Sequence, residues 1–244
     1  GLGATETAPA ALFARVEEAA SGVVGVPAPG VELKLVPNQG KLEARIKGVS
    51  ITPGYWKDEQ KTLAAYDEEG YYCLGDALKF IDVQQPSRGF YFDGRVSDDF
   101  KLDTGTWVSV GTLKAKMIEC FAPYIQDVVI VGRDQGFISA LVFPDVEHCR
   151  ELITAQSASL SQAKIVDHEQ VRALFTQRLK EMALTSTGSS TRIKRLVLQS
   201  TPANIDAHEM TDKGSLNSNA VIENRQEMVT DMYSAELSEI VISL

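Results

Sequence analysis

The sequence is poor in the residues that build metal cages and covalent cross-links. Its 244 residues hold three cysteines, Cys73, Cys120 and Cys149, far apart and with no CxxC pair. Three histidines, His148, His168 and His208, form neither an HxxxH nor an HxH spacing. A zinc centre takes about four such ligands at short spacings, so none is expected. An odd, sparse cysteine count suits a reducing cytoplasm better than a disulfide scaffold. Long apolar runs are absent too. A membrane span needs ~20 consecutive apolar residues, and the most apolar stretch, Val128–Phe143, is broken by Arg133 and Asp134. Positive charge is short: 24 Lys+Arg stand against 33 Asp+Glu, a net of -9. Sequence-independent binding of nucleic acid requires an excess of cations to displace counterions, so that class of partner is excluded.

What is present reads as an ordinary globular chain, 44% hydrophobic and 23% charged, with room for one or two domains of ~100–200 residues. Residues 29–93 are rich in strands and turns. Val31–Val36 alternates at period two, Pro37-Asn38-Gln39-Gly40 turns it back, and Lys41–Lys47 alternates again, which predicts a hairpin. Asp58–Tyr66 reads as a short helix with Asp58 as its cap. Tyr71–Leu74 reads as a strand stopping at Gly75-Asp76, with further strands at Lys79–Ile81 and Phe90–Phe92. From about Arg95 the pattern changes. Val108–Phe121 begins as a strand and continues as an amphipathic helix, and Val128–Val131 and Phe137–Phe143 form a hairpin around Gly132–Gly136. Asp167–Met182 places Val171, Leu174, Phe175, Leu179 and Met182 near helical period, and Ile193–Leu198 is a strand. Ser157–Ala163 and Thr185–Ser190 read as small-polar loops. The chain opens Gly1-Leu2-Gly3-Ala4-Thr5-Glu6, without methionine and as though inside a motif. It is therefore expected to be a piece of a larger protein.

Four polar clusters can carry chemistry. In Gly3-Ala4-Thr5-Glu6-Thr7 a hydroxyl sits beside a carboxylate, a pair able to hold a phosphate oxygen and Mg2+ together. The same residues also read as a helix start, with Thr5 as the cap. Gly75-Asp76 puts a carboxylate at the end of an aromatic strand, where it could accept ribose hydroxyls, or could simply turn the chain. Arg95 and Lys101, six apart in Asp93–Lys101, can each approach an anion, or can belong to a solvated linker. Lys213, in Glu209–Asn217, lies in a polar, glycine-containing stretch that could deliver a cation to a phosphate. Equally, it could precede a helix capped by Ser215 or Asn217.

In this order the four clusters resemble the motifs of the adenylate-forming superfamily, which includes acyl-CoA synthetases, peptide-synthetase adenylation domains and luciferases. The matching residues are Gly3-Ala4-Thr5-Glu6, Gly75-Asp76, Gly94-Arg95 through Phe100-Lys101, and Lys213. Within the superfamily, the runs Gly1–Pro9 and Asp99–Gly111 are most similar to feruloyl-CoA synthetases. The resemblance implies an α+β fold: the β-rich C-terminal tail of a large adenylating domain over residues 1–94, then a small mobile C-terminal domain over 95–244. It implies an ATP-dependent, AMP-forming acid–CoA ligase acting on ferulate-like aromatic acids, with ATP, Mg2+ and coenzyme A as cofactors. Thr5 would contact the α-phosphate and Glu6 the metal, Asp76 and Arg95 would hold the ribose, and Ser97 or Asp98 would lie at a hinge. Lys101 would approach the adenylate, Gly105 would border the CoA channel, and Lys213 would stabilise the charge that develops as pyrophosphate leaves. The partners implied are a small carboxylic acid and the upstream part of the large domain, without which the fragment alone is expected to be inactive. Alternatives are the adenylation domain of a carboxylic acid reductase or peptide synthetase, and a non-catalytic fragment. The chain departs from the pattern in two places. The order Lys213-Gly214 inverts the usual glycine–lysine pair, so that a rigid alignment puts Ser215 at the lysine position. Thr112 and Lys114 stand where an acidic residue usually follows the mobile loop.

Overall fold

The computed structural model describes residues 1–38, 40–153, 160–211 and 214–244. The chain has an α+β architecture and divides into two compact units, Gly1–Asp99 and Phe100–Leu244. Among the described residues no helix is long and apolar enough to cross a membrane.

The first unit is an antiparallel sheet of six strands: β1 (Leu12–Phe13), β2 (Val23–Pro27), β3 (Val31–Asn38), β4 (Lys41–Gly48), β5 (Tyr72–Phe80) and β6 (Phe90–Arg95), in the order β1-β2-β6-β5-β4-β3. The β3–β4 hairpin pairs Val31 with Gly48 through to Asn38 with Lys41, the register its alternation predicts. Gln39 of its expected turn lies outside the described residues. Helix α1 (Glu59–Ala65) starts where Asp58 accepts the Lys61 N–H at 3.0 Å, as predicted. One face of the sheet buries Val24, Ala44, Ile46, Leu74, Leu78 and Phe90.

Strand β5 corrects the sequence reading. It does not stop at Gly75-Asp76 but runs on through Phe80 as one element. Gly75 takes φ +75, a left-handed conformation that costs glycine little, and the register shifts against both neighbours around it. The bulge bends the strand, so the turn signal read from glycine and aspartate marks a kink.

Next to this kink a chain of charges crosses the sheet. Asp67 meets Lys34 at 2.6 Å and Arg45 at 3.2 Å, and Arg45 turns back to Glu43 at 3.0 Å. The lysine, then the N–H of Tyr71, Arg45 and the N–H of Glu69, hold the Asp67 carboxyl far below the usual carboxylate range, against the opposing effect of burial.

The second unit has a sheet of four strands, in the order β12-β11-β10-β9. Its elements are a short ribbon of β7 (Phe100–Lys101) and β8 (Trp107–Val108), then α2 (Val110–Phe121), β9 (Ile125–Val131), β10 (Ile138–Pro144), α3 (Val146–Glu151), α4 (Gln162–Val166), α5 (Glu169–Leu184), β11 (Ile193–Leu198), α6 (Ser218–Asn224), α7 (Gln226–Asp231) and β12 (Val241–Ser243). Strand β10 pairs antiparallel with β9 and parallel with β11. A parallel pair needs a long crossover, which α3, α4 and α5 supply. Part of the predicted loop Ser157–Ala163 belongs to that crossover: 157–159 lie outside the described residues, and α4 begins at Gln162.

Both faces of this sheet are covered, which explains the unbroken apolar run of β10. Ile138, Ala140 and Val142 pack with Leu113, Met117 and Phe121 of α2 and Val171, Phe175 and Leu179 of α5. Leu141 and Phe143 pack on the other side with Val221 of α6 and Met232. Helix α5 begins two residues later than expected, because His168 takes the cap and accepts the Gln170 N–H at 3.3 Å.

Arg225, just after α6, organises the segment that follows β11. It grips Glu209 at 2.9 and 2.7 Å, the Gln199 side-chain oxygen at 2.6 Å, and the carbonyls of Thr201 at 3.2 Å and Pro202 at 3.0 Å, with its guanidinium over the Phe143 ring. Sequence periodicity gives no sign of it.

Two stability outcomes follow. Phe175 is fully buried against Phe121, so Phe175→Ala should lose about 3–5 kcal/mol in denaturant unfolding. Asp67 titrates low in the folded state, so its stabilisation is present at neutral pH and fades as pH falls below the unfolded value of about 4. Asp67→Asn should therefore melt below wild type at pH 7, and the gap should narrow as pH is lowered from about 5.

Candidate active site

The N-terminal segment folds back on itself before β1. Residues Thr5–Thr7 form one turn of 3-10 helix whose cap position is Ala4, not Thr5. The hydroxyl that closes the turn belongs to the buried Thr7, which accepts the Ala4 N–H at 2.8 Å and donates to the Ala4 carbonyl at 2.9 Å. The cap assigned to Thr5 is thus a correction: Thr7 does the capping, and the Thr5 residue is exposed. Glu6 is half-buried. Its backbone carbonyl accepts the Thr52 N–H at 2.8 Å, and its Oε1 accepts the Tyr55 hydroxyl at 3.0 Å. Its second carboxylate oxygen takes no hydrogen bond from the described residues. Such a group suits Mg2+, which binds one or two carboxylates and completes its shell with phosphate and water. Among the described residues no cluster of three or more His, Cys, Asp or Glu could cage a metal unaided.

The second group follows the β5 kink. Asp76 lies directly opposite Arg95 on β6, with Arg95 Nε donating to Asp76 Oδ1 at 3.2 Å. Asp76 is 8% exposed, and burial pushes its carboxyl above the usual range while Arg95 opposes the shift. Oδ2 accepts nothing from the described residues, and Arg95 itself is exposed. A largely buried carboxylate with one oxygen unmatched, beside an open guanidinium, is suited to accept vicinal hydroxyls. Glu6 is linked to the same strand, since the Tyr55 hydroxyl that reaches it also lies 3.1 Å from that of Tyr72, four residues before Asp76. Thr5, Glu6, Asp76 and Arg95 therefore all belong to the first unit.

The segment after Arg95 stays attached to that unit. Val96 N–H donates to the Gly75 carbonyl at 2.9 Å, Ser97 Oγ donates to Asp98 at 3.2 Å, and the buried Asp99 pairs with Lys41 at 2.6 Å. Sequence reasoning missed Lys41, which lies 58 positions away from its partner.

Lys101 and Gly105 lie in the second unit, on the β7–β8 ribbon. Lys101 is exposed, its ammonium 4.9 Å from the Trp107 ring centre. Gly105 is exposed at φ +80, and a Cβ built there would meet nothing within 4 Å. Thr104 and Thr106 link hydroxyls at 3.0 Å around it, and Leu102 N–H donates to the Thr106 carbonyl at 2.9 Å, closing the ribbon's tip. Lys213 lies outside the described residues. Of the two caps suggested for the following helix, Asn217 serves, accepting the Ala220 N–H at 3.4 Å.

The sequence matches the family described as the AMP-binding enzyme C-terminal domain over residues 101–237, more than half of the chain. It is 24% identical to the probable acyl-activating enzyme 16, chloroplastic, of Arabidopsis thaliana, over 98% of this chain and 34% of that protein. The A-PCP didomain of the carboxylic acid reductase from Segniliparus rugosus, solved in complex with AMP, superposes with a TM-score of 0.66 at 21% identity, over 86% of this chain and 29% of that one. The anthranilate CoA ligase AuaEII in complex with anthranoyl-AMP does so with a TM-score of 0.66 at 18% identity, over 94% of this chain and 39% of that one. The chain spans about a third or less of the length of the curated relatives it matches. With residues 101–237 matched, the chain belongs to the family of AMP-binding enzyme C-terminal domains.

Proposed function

We propose that the complete protein is an ATP-dependent, AMP-forming acid–CoA ligase. The first unit, Gly1–Asp99, is the tail of its large nucleotide-binding domain, which reaches five residues past the expected boundary at 94, and Phe100–Leu244 is its small, mobile C-terminal domain. The observation that carries the reading is the Asp76–Arg95 pair: a largely buried carboxylate with an open oxygen, beside an exposed guanidinium, on the strand to which Glu6 is tethered. Asp76 accepts the two ribose hydroxyls, and Arg95 steadies both the carboxylate and the sugar. Thr5, exposed at the turn, donates its hydroxyl to the α-phosphate. Glu6 would hold Mg2+, which would supply positive charge beside the phosphates.

In the first half-reaction the acid's carboxylate attacks the α-phosphate, and the bond to pyrophosphate breaks. Lys213 stabilises the charge that builds there, and Lys101 approaches the adenylate. In the second, the CoA thiol attacks the acyl carbon, the bond to the phosphate oxygen breaks, and AMP leaves. The small domain turns near Ser97 and Asp98 between the two, withdrawing Lys213 and presenting the Gly105 tip to the pantetheine arm. Gly105 suits that role because it leaves the tip open and adopts a backbone conformation that side chains resist.

The substrate is a ferulate-like aromatic acid. The runs Gly1–Pro9 and Asp99–Gly111 support this, as does the shared fold with a ligase solved with anthranoyl-AMP. A second reading, an adenylation domain that hands its acyl group to a carrier thiol, is supported by the equal likeness to a carboxylic acid reductase didomain. Supplying the complete protein with ferulate, ATP and either CoA or a phosphopantetheinyl carrier separates the two. Feruloyl-CoA is the expected product, and carrier-only acylation would overturn the first reading.

Two substitutions divide the half-reactions. In the complete protein Lys213→Ala should slow ATP–pyrophosphate exchange by ~10²–10³-fold while sparing thioester formation from preformed adenylate. Gly105→Leu should do the reverse, keeping exchange and losing thioester formation. Equal damage to both steps by either variant counts against the roles assigned.

A further inference from the structure

Glu6 does not hang free beside Thr5. Its Oε1 is held by the Tyr55 hydroxyl at 3.0 Å. A phenol has one proton, and that of Tyr55 is committed to the carboxylate. The 3.1 Å contact between the Tyr55 and Tyr72 hydroxyls must therefore be a bond donated by Tyr72. The hydrogen bonds run one way, from Tyr72 to Tyr55 to Glu6, and each strengthens the next in a partly dry setting.

Tyr72 is suited to head this chain. It is 7% exposed, lies on β5, and packs edge-on against Tyr66 with centroids 5.5 Å apart. Burial, then the Tyr55 hydroxyl, then the charge of Glu6 push its phenol far above its ordinary range, which keeps it a neutral donor.

Tyr55 is also fixed from its own side. Its N–H donates to Thr62 Oγ1 at 2.8 Å, and that hydroxyl donates to the Asp58 carbonyl at 2.8 Å. Gly54, at φ +145, lets the backbone lie so close to Thr62 that a Cβ would fall 2.6 Å from its methyl. Lys61 covers the Tyr55 ring at 4.2 Å. Helix α1 thus clamps the phenol that clamps Glu6, and the carboxylate's other oxygen takes no hydrogen bond from the described residues.

We infer that Tyr55, backed by Tyr72, is a positioning residue that aims the free oxygen of Glu6 at a divalent cation brought in with the nucleotide. This deepens the reading of Glu6 given above and rests on it. A carboxylate held at one oxygen loses rotational freedom, so it presents the other as an oriented ligand atom. Groups of this kind, one step removed from the metal, are typically worth ~10–100-fold in metal affinity.

The test measures metal binding directly, in the complete protein saturated with a non-hydrolysable ATP analogue, by following free Mn2+ with electron paramagnetic resonance. Tyr55→Phe should raise the Mn2+ dissociation constant about 10-fold. Tyr72→Phe, which keeps the direct bond, should raise it less. Glu6→Gln should weaken binding most. Tyr71→Phe, which removes a phenol bonded to Glu32 instead, should bind as wild type does. Far-ultraviolet circular dichroism of each variant checks the fold, and Tyr72→Phe carries the test if Tyr55→Phe unfolds. If Glu6→Gln loses Mn2+ while the tyrosine variants match wild type, the inference is overturned and the site reading stands. If Glu6→Gln also binds as wild type, the metal role of Glu6 falls, and the inference with it.

Discussion

Asp76 is a carboxylate kept where water barely reaches, and its charge is tolerable because Arg95 stands across the ladder from it. The pair sits among irregularities of the backbone. Gly75 adopts a left-handed conformation where β5 slips against β4, Gly94 does the same where β6 slips against β5, and Asp76 faces Arg95 beside both. The guanidinium stays exposed while the carboxylate stays buried, so Arg95 offsets part of the cost of the buried charge and keeps access to what lies outside.

The two units are held together by different means. In the second, apolar strands are covered on both faces, and charge enters chiefly through Arg225 and Glu209, each almost fully enclosed. In the first, the sheet buries one apolar face, while ion pairs of Lys34, Asp67, Arg45 and Glu43 run across its strands. A network of that kind depends on every member keeping its charge, whereas a two-sided apolar core is indifferent to pH.

Much of this was legible in the sequence where the signal is local. The β3–β4 alternation, the Asp58 cap and the apolar period of α5 each report on neighbours a few residues away, and the structure follows them closely. The reading of Gly75-Asp76 as a strand end failed because glycine serves turns and bulges alike, and only the neighbouring strands decide between them. Thr5 was given a cap that Thr7 provides, an error of two positions within one turn. The partners of Glu6 were invisible for another reason. Tyr55 is 49 positions away in sequence, and Tyr71–Leu74 reads simply as a strand. Lys41 and Arg225 share that difficulty: a long-range ion pair has no period.

Arg225 also constrains what this position can become. It serves the side chains of Glu209 and Gln199 and two backbone carbonyls from a single planar fork, while its flat face lies over Phe143. A lysine there would carry the same charge on a tetrahedral ammonium with three donors and no face to stack. It could not reach all of these acceptors at once or lie flat on the ring, and the buried Glu209 and Gln199 would lose most by any poor fit, since the Thr201 and Pro202 carbonyls lie near water. The position therefore favours the planar cation over the tetrahedral one, and a sequence comparison that treats them as equivalent would misjudge it.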